Sequence, residues 1–297
     1  MMNNSVVLGV DIGGSHITAA LVNLETMTLL PKSQFREYVN AKETSDQIIS
    51  IWNRVIHKSF SAYPVKQKTI GIAMPGPFDY IAGISLMKGQ EKFDHLYGQN
   101  LKNILAHTLG IASTNIQFIN DAECFLRGEV FGGAAKNFSK AIGLTLGTGL
   151  GSSIYENGIS KNADLWCSAF QDGLAEDYLS TRWFTKEYHI RTGRHVQNVK
   201  ELVERRLIES VVDEIFKDFG KNLALFLNDF ILKQCPEVVV IGGNIANAFE
   251  LFRQSMLDTI SMTSVQPALR RAVLGEEAPL IGAASIWHKE ESEILAA

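Results

Sequence analysis

Residues 6–22 read VVLGVDIGGSHITAALV, and the reading of this stretch organises the rest of the chain. Val6-Val7-Leu8-Gly9-Val10 has the continuous apolar character of a buried strand, and Ile17 to Val22 forms a second one. Gly13-Gly14 between them supplies positive φ at little steric cost, so the two strands read as a hairpin. The same plan returns later. Ala141 to Leu146 reads as a strand, Gly147-Thr148-Gly149-Leu150-Gly151 as a glycine turn, and Ser153-Ile154-Tyr155 as the returning strand before an Asn157-Gly158 turn. Two α/β halves, each opened by a glycine-turned hairpin, imply an internal duplication with its boundary near Asn120.

Between and after the hairpins, strand and helix signals alternate. Thr44-Ser45-Asp46-Gln47 has capping-box spacing and opens a helix whose Ile48, Trp52, Val55 and Ile56 share a face. A strand over Thr69 to Met74 stops at Pro75-Gly76-Pro77, a helix over Leu101 to Leu109 stops at Gly110, and Ile116 to Ile119 is a strand. In the second half, helices are expected over Ala175–Tyr188, Lys200–Leu207, Ser210–Lys233, Ala246–Ile260 and Leu280–Glu291, with a strand over Glu237–Ile241. Trp52 and the stripe Leu223, Phe226, Leu227 and Phe230 read as core.

Composition narrows the function classes. The 297 residues are 46% hydrophobic and 20% charged, with a net charge of −4, as in a globular protein of about two domains. A mildly acidic chain without basic blocks is poorly suited to nucleic-acid binding, and Arg205-Arg206 and Arg270-Arg271 read as solvated pairs. Cys124, Cys167 and Cys235 are far apart, which argues against a zinc ribbon or a disulfide framework. His189 and His195 lack metal-ligand spacing. No apolar run is long enough to span a bilayer, and no Lys or Arg precedes Lys32, so the expected location is cytoplasmic.

Three glycine turns directly follow apolar strands: Asp11-Ile12-Gly13-Gly14-Ser15, Gly147 to Gly151, and Gly242-Gly243-Asn244. Successive N–H groups in such turns form anion-binding nests, and three of them at strand ends favour nucleotide binding over simple tight turns. Neither GxxxxGKS nor GxxxxGKT occurs, which excludes a P-loop. The second turn lacks GxGxxG spacing and runs into a strand, which excludes a dinucleotide fingerprint. Asp11 either orients a Mg2+ ion, directly or through water, or is a hydrogen-bonded turn aspartate. Asp121, after the strand ending at Ile119, is either a general base or the N-cap of the following helix.

Taken together, VLGVDIGGSHITAALV (7–22), GIAMPGP (71–77), FINDAECFLRGE (118–129), GLTLGTGLGSSIYENG (143–158), VVVIGGNIANA (238–248) and PLIGAASIW (279–287) resemble the ROK family of sugar kinases and related repressors. The resemblance implies an α/β fold of two actin-like (ribonuclease H-like) domains with an interdomain cleft. One domain would take residues 1–119 plus 283–297, the other 120–282. It implies that ATP phosphates lie against Asp11, Gly13, Gly14, Ser15 and His16 of one hairpin and Gly147, Thr148, Gly149 and Gly151 of the other. Gly242, Gly243 and Asn244 match the adenosine-contacting motif. Asn120 and Asp121 match the sugar-binding Asn and the catalytic Asp; Gly76 and Glu176 fall on the sugar side.

The chain also departs from that family's pattern. Where a GExGH segment and a Cys-rich zinc loop are usual, it has Asn162-Ala163-Asp164-Leu165-Trp166-Cys167-Ser168, so structural zinc is not expected. Asp164 or Trp166 is then expected in the space of the missing His, and Gln90 stands in for the Asn after the PGP segment. The resulting expectation is an ATP- and Mg2+-dependent kinase acting on a hexose or N-acetylhexosamine, working with small molecules and forming a homodimer. A non-catalytic sugar sensor of the same fold is the alternative. A repressor is disfavoured because the first phosphate motif begins almost at the start of the sequence.

Overall fold

The structure is a computed structural model that describes residues 5–89, 92–260 and 266–288. In chain order its elements are β1 (Val6–Ile12), β2 (His16–Asn23), β3 (Thr28–Leu29), β4 (Phe35–Tyr38), α1 (Ser45–Ser61), β5 (Ile70–Met74), β6 (Phe78–Asp79), β7 (Ile84–Ser85), α2 (Leu101–Leu109), β8 (Ile116–Asn120) and α3 (Asp121–Gly132). There follow β9 (Lys140–Leu146), β10 (Leu150–Glu156), β11 (Ile159–Asn162), β12 (Ala169–Phe170), β13 (Gly173–Leu174), α4 (Ala175–Tyr178), α5 (Thr181–Thr192), α6 (Val199–Arg205) and α7 (Val211–Gln234). The chain ends with β14 (Val238–Gly242), α8 (Phe249–Thr259), β15 (Ala268–Arg271) and α9 (Ala278–Ser285).

Two compact units result: one runs to Gly133 and resumes at Glu276, the other is Ala134–Gly275. The expected boundaries are Ile119/Asn120 and Gly282/Ala283. The division falls later at the first and earlier at the second because α3 and α9 pack on each other and on the first sheet.

In the first unit the sheet order is β3-β2-β1-β5-β8, with β4 also on β2; β1 and β2 are antiparallel, and β1, β5 and β8 are parallel. The two faces differ in side-chain size. Leu8, Val10, Ile12, Ile70, Ile72, Ile116 and Phe118 join α1 and α2 in one large core, where Trp52 is fully buried and edge-on to Phe93 at 5.7 Å. Gly9 and Gly71, of the opposite parity, are register partners on β1 and β5. That small-residue face receives α9. A Cβ on Gly9 would lie 2.1 Å from Leu280 O, and one on Gly71 only 1.8 Å from Ala283 O. Helix α3 meets α9 as closely: a Cβ on Gly128 would lie 2.1 Å from Ala278 O, and one on Gly282 lies 1.8 Å from Cys124 O. Arg127 Nε then donates to Ser285 Oγ at 3.0 Å, and Trp287 Nε1 donates to Ile70 O at 3.1 Å, fixing the end of α9.

In the second unit the sheet order is β11-β10-β9-β14-β15, with an antiparallel β9–β10 hairpin and parallel β9, β14 and β15. A hairpin whose first strand pairs in parallel with a later one thus occurs in both units, which is the expected duplication. Its core packs Trp183, Phe184, Phe216, Phe219 and Phe252 with ring centroids 4.6–5.7 Å apart. Leu223, Phe226, Leu227 and Phe230 are buried there as expected.

Several boundaries moved. The helix expected over 175–188 is broken at Leu179-Ser180, where Ser180 is extended (φ −127°, ψ 172°) and α5 restarts at Thr181. The restart is held by the glycine turn, since Thr181 N–H and Oγ1 both donate to Gly147 O, at 2.8 and 3.0 Å. The helix expected from Ala246 begins as a 3-10 turn over Asn244–Ala248. The last helix ends at Ser285; its expected continuation beyond His288 lies outside the described residues. Arg205 and Arg206 are paired with Glu201 and Asp213 rather than merely solvated. Among the described residues, no helix is long and apolar enough to cross a membrane.

Substituting Gly282→Ala should lower stability by about 3 kcal/mol or more, because the Cys124 backbone of α3 leaves a new methyl no room. A urea melt reads this directly; an unchanged midpoint would show that α3 and α9 can separate at no cost.

Candidate functional site

Asp11 is the sixth residue of β1 and shares the Gly9 face, so the strand carries its carboxyl toward the start of α3, where Asp121 sits. Burial, reinforced by the negative charge of Asp121, pushes the Asp11 carboxyl up to about 7. Arg36 on β4 opposes that rise, and Arg36 itself is bound to Glu276 at 2.7 Å just before α9. The next residues, Gly13-Gly14-Ser15, form the hairpin turn. Gly13 N–H donates to His16 O at 2.9 Å, and Ser15 O accepts the Val39 N–H at 2.9 Å. The N–H groups of Gly14 and Ser15 have no acceptor among the described residues, and both residues are exposed. Such a pair of free N–H groups beside a carboxylate fits a phosphate accompanied by a hard cation.

Asn120 and Asp121 divide their tasks. Asn120 is the N-cap of α3, its Oδ1 accepting from Ala122 N–H at 2.9 Å and Glu123 N–H at 3.4 Å. Its Nδ2 donates to Tyr80 Oη at 3.1 Å, and that hydroxyl donates to Met74 O at 3.1 Å. A Cβ on Gly76 would stand 3.4 Å from the same Tyr80 oxygen, so the Pro75-Gly76-Pro77 turn packs on this chain of bonds. Asp121 is therefore not the cap. Its Oδ1 accepts the Ala122 N–H at 2.9 Å, and its side chain remains open to solvent. Crowding by protein raises the Asp121 carboxyl above its ordinary value; the Ala122 N–H and the charge of Lys92 pull the other way.

The second unit collects a different set. Gly147 N–H donates to Gly149 O at 3.0 Å, leaving the N–H groups of Thr148 and Gly149 without acceptors among the described residues. Gly243 lies directly on this turn: its φ is +84°, and a Cβ there would fall 2.4 Å from Leu146 O. Only glycine fits that position. Gly242 pairs with Thr145 at the end of β14, and Asn244 begins the 3-10 turn. Gly151 also lies opposite Thr145, within strand β10 rather than in the turn. Glu176 reaches the same turn. Its Oε2 accepts the Leu150 N–H at 3.0 Å and its Oε1 accepts from Arg182 at 2.6 Å.

The departing loop behaves separately. Asp164 is exposed, and its bonds run to Asn162, at 2.8 Å from Asn162 Nδ2 and 3.0 Å from its own N–H to Asn162 Oδ1. Trp166 is exposed as well, and Gln90 lies outside the described residues. Sequence reasoning passed over Tyr80, Lys92, Arg36 and Arg182. Tyr80 and Arg182 stand three and six residues beyond motif residues Pro77 and Glu176, which was the available signal; Lys92 and Arg36 had none.

Two units, each with a hairpin-first sheet and glycine turns at its strand ends, define a two-domain actin-like α/β fold. The chain belongs to the ROK family, whose sequence model matches residues 7–162 and 159–290. It is 23% identical to the N-acetyl-D-glucosamine kinase of Pasteurella multocida (strain Pm70), over 94% of this chain and 98% of that protein. Among solved structures it is similar to the ROK hexokinase of Thermus thermophilus, with a TM-score of 0.78, 20% identity and coverage of 98% and 100% of the two chains. It is also similar to a ROK family glucokinase of Streptomyces griseus in complex with glucose and AMPPNP, with a TM-score of 0.76, 22% identity and coverage of 95% and 98%.

The raised Asp11 value has a consequence for stability. The folded state keeps this proton where the unfolded chain has lost it, so the group stabilises fully below about pH 4, and that contribution is lost as pH rises through 7. Asp11→Asn should therefore melt like the wild type near about pH 4. Near about pH 8, without ligand, it should be the more stable by on the order of 4 kcal/mol. Parallel melting curves at both pH values would show Asp11 to be ordinarily solvated.

Proposed function

We propose that the chain is an ATP- and Mg2+-dependent kinase that transfers the γ-phosphoryl group to a hydroxyl of a hexose or N-acetylhexosamine. The observation that carries this reading is the division of labour at the head of α3. Asn120 caps the helix N-terminus through two N–H groups, so the Asp121 carboxyl shares only the Ala122 N–H and otherwise stands open to solvent near Asp11. A carboxylate raised by crowding accepts a proton more readily than an ordinary one, which suits a general base acting on an alcohol. The kinases among the relatives, and the sugar and nucleotide analogue in the Streptomyces griseus glucokinase complex, support the reactants.

In this reading Asp121 takes the hydroxyl proton as the oxygen attacks the γ-phosphorus. The N–H groups of Gly14, Ser15, Thr148 and Gly149 bind phosphate oxygens, and Gly242, Gly243 and Asn244 contact the adenosine. Asp11 would hold Mg2+, directly or through water, and the ion when bound would supply neutralisation of phosphate charge. Asn120 has one Nδ2 hydrogen left beyond its bond to Tyr80, and that hydrogen is directed to the sugar, as is the turn at Gly76. Glu176 acts on the acceptor side only by releasing Leu150 or Arg182, so its default part is to shape the second glycine turn.

Mass spectrometry of the protein with Mg-ATP and a panel of hexoses and N-acetylhexosamines tests the proposal. Wild type should form a sugar phosphate, and Asp121→Asn should form it roughly 10²–10⁴-fold more slowly while still binding ATP. Sugar binding without product from any acceptor would favour a sensor, and near-wild-type turnover in the variant would remove Asp121 from the chemistry.

A further inference from the structure

Lys92 lies between the first glycine turn and the head of α3. Its Cδ is 3.7 Å from where a Cβ on Gly14 would stand, so its stem runs along the apex of the turn whose N–H groups are free. Its ammonium is near enough to Asp121 for the two charges to act on each other. The side chain is half-buried, yet among the described residues it makes no hydrogen bond and no ion pair. Two other cations of the same unit are engaged, Arg36 with Glu276 and Arg127 with Ser285. A partly desolvated ammonium with no fixed partner, on a flexible stem between a phosphate turn and a carboxylate, is suited to an anionic group that comes and goes.

We infer that Lys92 binds the γ-phosphoryl group of ATP and follows it to the acceptor, a role that rests on the kinase reading above. In the step, the acceptor oxygen forms its bond to the γ-phosphorus while the bond from that phosphorus to the β–γ bridging oxygen breaks. The bridging oxygen keeps the electron pair and leaves with ADP, and the hydroxyl proton passes to Asp121. Lys92 stays protonated throughout. Its charge offsets the oxygens of the moving group as they approach two carboxylates, Asp11 and Asp121, that would otherwise repel them. Because the stem lies against Gly14 and the ammonium is close enough to Asp121 for their charges to interact, the same side chain serves the phosphoryl group at both ends of its path.

Lys92→Met and Lys92→Arg test this, with a thermal melt to confirm that each folds. With a sugar found to be an acceptor, Lys92→Met should lower kcat by about 10²–10³-fold and change the sugar KM little, and Lys92→Arg should recover much of the loss. A kcat within about threefold of wild type would overturn the inference, as would a raised sugar KM at unchanged kcat, which would place Lys92 on the acceptor instead. A second measurement needs no sugar. The ratio of dissociation constants for ADP and ATP, taken with Mg2+, should fall about tenfold or more in Lys92→Met, because only the γ-phosphate contact is removed. An unchanged ratio would refute the contact even where the kinase reading stands, whereas a wild type that binds no nucleotide would end both.

Discussion

The approach of backbone to backbone around α9 is the constraint on which the first unit depends. Four glycines, two on adjacent parallel strands and two on facing helices, let α9 lie on the sheet and against α3 with no side chain between them. That packing is close and rigid, and it determines where the head of α3 stands relative to the end of β1. Asp11 and Asp121 are brought near each other as a result, and their mutual repulsion is tolerated because the surrounding contacts hold both elements in place. The price in stability is met by ordinary core burial on the other face, around Trp52 and the aliphatic residues of β1, β5 and β8.

The second unit uses the same hairpin-first plan with a different support. Here the glycine turn is buttressed by side chains and by a helix start: Glu176 accepts from Leu150, Thr181 donates twice to Gly147, and Gly243 presses on Leu146. The break between α4 and α5 follows from this. An unbroken helix over 175–188 would carry Thr181 past the turn, and the extended Ser180 redirects the chain so that α5 begins on it. Both turns keep two free N–H groups; the first has the Asp11 carboxyl beside it, and the second has the Glu176–Arg182 ion pair. The two turns therefore differ in charge although they share a backbone shape.

Much of the fold was legible in the amino-acid order, and the reason is local. Strands β1, β9 and β14 are runs of apolar residues ended by glycine, which can be read within a few residues. Asp11, the glycines and the pair Asn120-Asp121 stand at those strand ends, so they too could be read directly. What could not be read was which of two adjacent residues does what. Either Asn120 or Asp121 has the chemistry of an N-cap, and only the observed bonds from Ala122 and Glu123 to Asn120 decide the matter. Gly151 looked like turn and is strand, because the register of β9 and β10 resumes at Leu150.

The sequence by itself determined the alternation of strands and helices, the duplication, the three glycine turns and the carboxylates beside them, since each depends on contacts a few residues long. Only the tertiary structure decided that Asp11 and Asp121 influence one another, that Tyr80 completes the hydrogen bonding of Asn120, and that Glu176 spends its carboxylate on the second turn. Lys92 is the plainest case. It sits in a polar stretch with no motif, and its position against Gly14 and before Asp121 exists only once segments nearly eighty residues apart on one side and about thirty on the other have been folded together. Such meetings depend on the packing of whole elements, and no local pattern of residues encodes them.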